Sequence, residues 1–398
     1  MSKLTLSYLN TTFGFWLTSF LVPLVILDMT GSAFYVTLSY ALNIIPYIII
    51  TPLAGVVGDI VNRKGIIVFG EFVCFILGVI LAFVPYNQHT VSLIITLGFL
   101  ISSFAAIHHP VFQSIIPDII SAEDIKHTNA SIGVIDSLVG IIAPVFLGVM
   151  LFQLDKKYVS FFIPFFYFCS FLIFLSVPYV SKVKEEKITI DSVLISLREG
   201  FLYVLKHREL RNIVILFFFV NIGIRLVLPN LIWIFKTVFS LTDKSIAPYF
   251  VIIGLLSICG AKIAPKIIGK TGDIKIIVLA SLVIALCSFA LLLVCSPVAF
   301  SVVWGGSCLV QSVIVVTFFT YRQKITPNYI LSRVVSITRL ISYLAIPVAA
   351  LSGGWSLEQS GNVNHLYVLS GLATVFAVII FVLLNYKYSK SPESEQLR

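Results

Sequence analysis

Four charged residues stand inside long apolar stretches of this chain: Asp136, Arg225, Lys262 and Arg339. A charge in hydrocarbon costs about 2.5 to 3.5 kcal/mol on insertion scales, so each needs a partner, a watered cavity or a reach to the interface. At about 1.5 Å per residue, Asp136 falls roughly 10 Å in from one end of its stretch, and Lys262 about 12 Å in from the same end of its own. Equal depths suit a pair that opens and closes as a gate. The plainer alternative is that Lys262 snorkels to the interface beside Lys266 while Asp136 caps a polar network. Arg339 sits at a similar depth, and either anchors a second gate through Asn43 or a loop, or snorkels. Arg225 lies about 20 Å in, between Asn221 and Pro229-Asn230. It either faces an aqueous cavity, against a polar substrate group or a protonatable acid, or has a structural partner or the outer leaflet.

Imidazole, with an ordinary pKa near 6.5, suits proton exchange, so His108 and His109 together with Glu71 form a possible proton relay. A packing histidine beside a kink at Pro110 is the commoner use of such a pair. Glu71, a turn or two inside its stretch, can also simply sit near Arg63 and Lys64. The aromatic residues Phe13, Trp16, Phe217, Phe218, Trp233 and Trp304 either line a hydrophobic cavity or face lipid. Cys74, Cys169, Cys259, Cys287, Cys295 and Cys308 all fall in apolar runs without CxxC or Cys/His spacing, and are expected to be neither disulfides nor ligands. No metal or cofactor is expected. The sequence has no nucleophile with its base and orienter, no HExxH and no GxxxxGK[ST], which argues against an enzyme or an ATP-driven pump. Work by such a chain would draw on gradients.

The elements that position these residues follow from composition: 59% of the 398 residues are hydrophobic and 11% charged, where soluble domains carry about 25% charge. A membrane-crossing helix takes about 20 apolar residues. Apolar runs recur at roughly 8–27, 33–57, 66–86, 91–117, 130–153, 159–180, 212–235, 246–268, 275–295, 297–320, 334–355 and 365–385. The expectation is an all-α membrane protein of about twelve spans in a lipid bilayer. The first run lacks a basic segment and cleavage site, and is expected to stay as a helix. The net charge of +9 comes from Lys and Arg scattered between runs, not from one basic face, so nucleic acid is not expected as a partner. Twenty of the 27 Lys and Arg fall in alternate connections, against Lys156, Lys157, Lys236 and Lys244 in the others. This bias places both termini in the cytoplasm, the protein being multi-pass in the cell membrane.

The long polar stretch 181–211 divides residues 1–180 from 212–386, two sets of six runs, with a tail at 387–398. Apolar residues from Ile190 to Leu205 approach helical spacing, predicting an amphipathic helix along the inner membrane surface. The halves echo one another. SIGVIDSLVGIIAPV in the fifth run answers to SITRLISYLAIPV in the eleventh, with Pro144 and Pro347 in corresponding places and Arg339 at the position of Asp136. KGIIV after the second run answers to IKIIV after the eighth.

Between the second and third runs, Gly55-Val-Val-Gly58-Asp59-Ile-Val-Asn62-Arg63-Lys64-Gly65 resembles the GxLaDrxGrk signature of the major facilitator superfamily, with Ile60 and Asn62 departing from it. Glycines allow a helix end to approach its neighbour, and the charges make contacts that differ between two conformations. The resemblance implies two pseudo-symmetric six-helix bundles, a switch in which Asp59 meets the start of the eleventh helix near Arg333, and a contact of Arg63 with Asp118. AAIHHPVFQSIIPDIISAED and ITPNYILSRVVSITR are similar to the macrolide-efflux-type bacterial exporters. Gly140, Pro144 and Gly148 are similar to the GxxxGPxxGG packing element of antiporters, with Ala143 and Leu147 replacing two of its glycines. The function so implied is export of a small hydrophobic or amphipathic, drug-like substrate by alternating access, in exchange for protons, by a monomer. A lipid or lysolipid flippase, a siderophore or metabolite exporter, and a transport-inactive scaffold or sensor are the alternatives.

Overall fold

In the computed structural model, residues 3–60, 62–120, 125–179, 190–268, 270, 272–327 and 329–389 are described. The side chains of 51–60, His109, Asp136 and some others within the helices lie outside that description. The described residues form helices and no strands: α1 (Lys3–Thr30), α2 (Ala33–Ile60), α3 (Arg63–Phe83), α4 (Val91–Ile119), α5 (Ile125–Gln153), α6 (Lys156–Ser160), α7 (Phe162–Leu175), α8 (Ile190–Lys206), α9 (Arg208–Val227), α10 (Leu231–Trp233), α11 (Asp243–Ile267), α12 (Asp273–Ala290), α13 (Pro297–Ile325), α14 (Leu331–Ser360) and α15 (Asn364–Ser389). In hydrocarbon a backbone must satisfy its own hydrogen bonds, and the helix does this within one segment. Eleven helical stretches among the described residues are long and apolar enough to cross a bilayer. The 29-residue α5, whose described apolar part is Ile142–Gln153, has the length of a twelfth.

Local chemistry sets where the helices stop. Asn62 caps α3 by accepting from the Gly65 N–H, and Ser296 caps α13, with Pro297 at its first position. α1 turns into α2 through Gly31, whose φ of +67° is one that a side chain resists.

The chain forms two units, Met1–Leu194 with Phe235–Phe250, and Ile195–Ile234 with Val251–Arg398. Their internal packing repeats. In the first, α1 packs on α5 and α7, and α3 on α4 and α7; in the second, α9 packs on α14 and α15, and α12 on α13 and α15. Lipid tails are as apolar as the side chains, so helices adhere through close approach and hydrogen bonds more than through exclusion of water. Ser7 and Ser170 share a hydrogen bond of 2.7 Å between α1 and α7, while Asn212 donates to Asn385 at 3.1 Å between α9 and α15. Trp304, Phe217 and Trp233 are buried, and Phe217 stacks on Phe318 at 4.3 Å, so these rings are core and do not face lipid.

Close approach is sharpest where glycine faces a neighbouring helix. A Cβ on Gly223 would meet Thr374 Oγ1 at 2.4 Å and the Ser370 carbonyl at 2.8 Å, whereas one on Gly70 has nothing nearer than 3.8 Å. Gly223→Val should therefore destabilise the second unit by about 1 to 3 kcal/mol and lower its melting temperature in detergent. Gly70→Ala should leave the melting temperature unchanged; equal effects of the two would refute the seam.

Candidate functional site

Inside the first unit, α1, α3, α4 and α7 bring polar side chains together away from solvent. Glu71 lies eight residues into α3, about 12 Å along it, and is 2% exposed. The Thr11 hydroxyl donates to Glu71 Oε1 at 2.5 Å and shares a 2.8 Å hydrogen bond with Ser170. His108 Nε2 lies 3.2 Å from the same carboxylate oxygen, and its ring is flanked by Tyr8 and Phe112 at centroid distances of 6.0 and 5.3 Å. A carboxylate taken out of water needs donors to replace its hydration, and here the contacts gather on Oε1, while Oε2 is buried without a hydrogen-bond partner. The sequence suggested Glu71 beside Arg63 and Lys64; helix rotation takes it elsewhere. Lys64 donates instead to the Leu175 and Val177 carbonyls at 2.8 and 2.7 Å, closing the end of α7. The hydroxyls of Ser7, Thr11 and Ser170 carried no signal in the sequence, because nothing marks a serine in an apolar run as the partner of a distant acid.

At the start of α3, Arg63 donates to Asp118 at the end of α4 at 2.8 Å, with Tyr179 donating to the same oxygen at 3.4 Å. The second unit has a counterpart of reversed sign. Lys324 at the end of α13 donates to Asp273 at the start of α12 at 2.8 Å. The echo of KGIIV by IKIIV sets Asp273 opposite Arg63, so this pair was readable one residue beyond the repeat. Each unit thus ties its third and fourth spans together at the end carrying the basic loops.

The other sequence-derived residues are spread out. Gly55, Gly58 and Asp59 on α2, His109 on α4 and Asp136 on α5 have side chains outside the described residues. Arg333 on α14 pairs with Glu199 of α8, and the backbone of Arg333 lies against Gly200, where a Cβ would meet its carbonyl at 2.8 Å. Measured from the helix ends nearer the basic loops, Asp136 lies about 16 Å along α5 and Lys262 about 7.5 Å along α11. Residues 121–124, directly before α5, and the Asp136 side chain lie outside the described residues, and so does the expected pairing of Asp136 with Lys262. Lys262 is exposed, within a lysine's reach of the interface. Arg225, in the last turn of α9, and Arg339, eight residues into α14, are half-buried. Gly140 faces Trp16, where a Cβ would approach the ring to 3.3 Å, Pro144 is buried inside α5, and Gly148 faces Ala247. Sequence reading passed over Arg322, which is 4% exposed, donates to Thr338 at 2.6 Å and lies over the Phe318 and Phe319 rings at 5.4 and 5.0 Å. No group of three metal-binding side chains occurs among the described residues.

The helical packing agrees with comparison to known proteins. A family model of the Major Facilitator Superfamily matches residues 4–350. The chain belongs to this superfamily. It is a multi-pass membrane transporter of the kind that acts on small molecules. It is 22% identical to Macrolide efflux protein A of Streptococcus pyogenes over 371 residues, covering 90% of this chain and 89% of that protein. Among solved structures, the nucleoside transporter NupG matches with a TM-score of 0.74 at 16% identity, over 96% of this chain and 99% of that one. A bacterial homologue of the iron transporter ferroportin, in an inward-facing state, matches with 0.73 at 15% identity, over 96% and 97%. These likenesses show the fold and leave the substrate open.

Arg63 and Asp118 are mostly buried, at 14% and 17% side-chain exposure, so their hydrogen bond should count for more than a surface pair. A double-mutant cycle of Arg63→Ala and Asp118→Ala, read by thermal unfolding in detergent, should give a coupling of about 1 to 2 kcal/mol. Additive losses would show that the pair carries nothing.

Proposed function

We propose that this transporter exports a small hydrophobic or amphipathic compound in exchange for protons, by alternating access of two six-helix halves. The observation that carries the coupling is the Glu71–His108 contact inside a shell of hydroxyls. Carboxylate and imidazole, one oxygen and one nitrogen at 3.2 Å, hold between them a site that can take and release a proton within hydrocarbon. Export is supported by the likeness to a macrolide efflux protein over 90% of the chain. Residues 1–180 and 212–386 are the moving halves, 181–211 the link between them and 387–398 a tail. Both termini and the basic loops face the cytoplasm, across the cell membrane.

In this reading Gly55, Gly58, Asp59, Arg63, Lys64, Asp118 and Arg333 serve the inner switch. Arg225 and Arg339 supply charge to the substrate path, and Asp136 a polar anchor on α5. Lys262 reaches the interface, and the protein works as a monomer.

Purified protein in liposomes with an acidic interior should accumulate a macrolide or a cationic dye above the level in protein-free vesicles, and a protonophore should abolish the difference. A gradient of one pH unit, worth about 1.4 kcal/mol per proton, supports about tenfold accumulation at one proton per substrate. Glu71→Gln should remove gradient-driven accumulation while leaving substrate exchange in the absence of a gradient, and Glu71→Asp should restore part of it. Equal accumulation with and without the gradient would dismiss proton exchange. No flux of any compound in a broad panel would dismiss export.

A further inference from the structure

Arg322, in the last turn of α13, and Arg339, eight residues into α14, meet within the second unit around Thr338. Arg322 donates from Nη1 to Thr338 Oγ1 at 2.6 Å, and Arg339 is the next residue along the chain. The two positive charges are close enough to repel one another. Arg322 is 4% exposed, and its Nε–H is buried without a hydrogen-bond partner. Arg339, half-buried, makes no hydrogen bond or ion pair among the described residues. Four residues beyond Arg322, where α13 closes, the buried Thr326 hydroxyl is also without a partner.

Among the described residues, the acids at this end of the unit are engaged elsewhere. Glu199 binds Arg333, Asp273 accepts from Lys324 at 2.8 Å, and Glu209 accepts from Tyr321 Oη at 2.8 Å. The Phe318 and Phe319 rings lie against the Arg322 guanidinium, and the carbonyls that close α13 favour a cation. Both attract the charge, but neither supplies the acceptor that Nε–H lacks or neutralises two like charges. The arrangement is thus one of donors: two guanidiniums and a hydroxyl. What completes it must bring oxygen acceptors and negative charge, which a guanidinium grips with parallel hydrogen bonds. Depth points the same way. α13 has 29 residues, about 43 Å of helix against about 30 Å of hydrocarbon, so its last turn lies near the level of the lipid headgroups.

We propose that Arg322 and Arg339, with Thr326, form a binding site for an oxyanion, a carboxylate or a phosphate, at the end of the second unit that carries the basic loops. The headgroup of an anionic lipid and the acid group of a dissolved compound present the same oxygens to it. The site itself rests on the two arginines; a transported solute as its occupant rests on the transport reading above. Arg339, the more exposed of the two, meets the anion first, and Arg322 turns its buried Nε–H to it.

The test is thermal unfolding of the full-length protein in lipid nanodiscs, with inorganic phosphate and benzoate as soluble probes. In nanodiscs of phosphatidylcholine alone, Arg339→Gln should raise the melting temperature, because it removes an uncompensated like charge, whereas loss of a merely structural arginine would lower it. Either probe should raise the wild-type melting temperature in proportion to its occupancy of the site. The affinity read from that rise should fall about tenfold in Arg322→Gln and in Arg339→Gln, as loss of one charged hydrogen bond predicts. Arg322→Lys keeps the charge but not the fork, and should fall between. An equal mixture of phosphatidylcholine and phosphatidylglycerol separates the two sources. A lipid occupant stabilises the wild type but neither Gln variant, and blunts the response to benzoate; a solute occupant leaves that response as it was. The site is overturned if the probes and phosphatidylglycerol all leave the wild type unchanged, if the Gln variants respond as the wild type does, or if Arg339→Gln fails to raise the melting temperature in the neutral nanodiscs. Binding without flux of any compound would remove the transport reading and leave the site standing.

Discussion

Hydrocarbon offers no hydrogen bonds, so a polar group inside this protein is held by another part of the protein or carried to an edge. Most of its structure answers to that constraint. Backbone groups are satisfied within helices. Hydroxyls fold back on the carbonyl four residues earlier, as Thr18 does on Gly14 and Ser281 on Ile277, or pair across a seam, as Ser288 does with Ser370. Ionised groups collect at helix ends, where Arg63 meets Asp118 and Lys324 meets Asp273. Against that background a buried carboxylate such as Glu71 stands out. The Thr11 hydroxyl and the His108 imidazole meet this acid in an apolar bundle, with Ser170 bonded to Thr11 and Ser7 to Ser170, an expense of polar surface that packing alone does not call for.

The two units use one packing plan with different chemistry at its joints. The third and fourth spans of each are tied at the basic end by an ion pair, with arginine on the third span in one and aspartate in the other. The rung between the first and sixth spans is a serine pair in one and an asparagine pair in the other. What the repeat preserves is the place where a polar tie is needed, since geometry dictates that place. The residues that fill it are free to change provided that donor still meets acceptor. Only the first unit places an acid against an imidazole among its described residues.

Much of this was legible in the sequence. Apolar runs of spanning length located the helices, because a bilayer sets a minimum length that composition cannot disguise. The glycine-acid-arginine-lysine turn led to the superfamily and, through it, to the contact of Arg63 with Asp118. The echo KGIIV and IKIIV already contained the reversed pair at Asp273. Helix ends are less legible, because a helix runs on past the hydrocarbon into polar residues, as α13 does to Ile325 beyond the apolar run 297–320.

Sequence alone determined that this chain crosses a membrane about a dozen times and which residues are too polar to sit there unattended, because both follow from composition and length. Tertiary structure decided who attends them. That Thr11 and His108 serve Glu71, that Glu199 serves Arg333, and that Arg322 reaches Thr338 depends on how each helix is rotated about its axis. The rotation is set by small residues and seams between distant segments, such as Gly148 against Ala247, and each turn of a long apolar helix offers the same hydrophobicity on every side. Periodicity therefore had nothing to read, and only three-dimensional packing could choose.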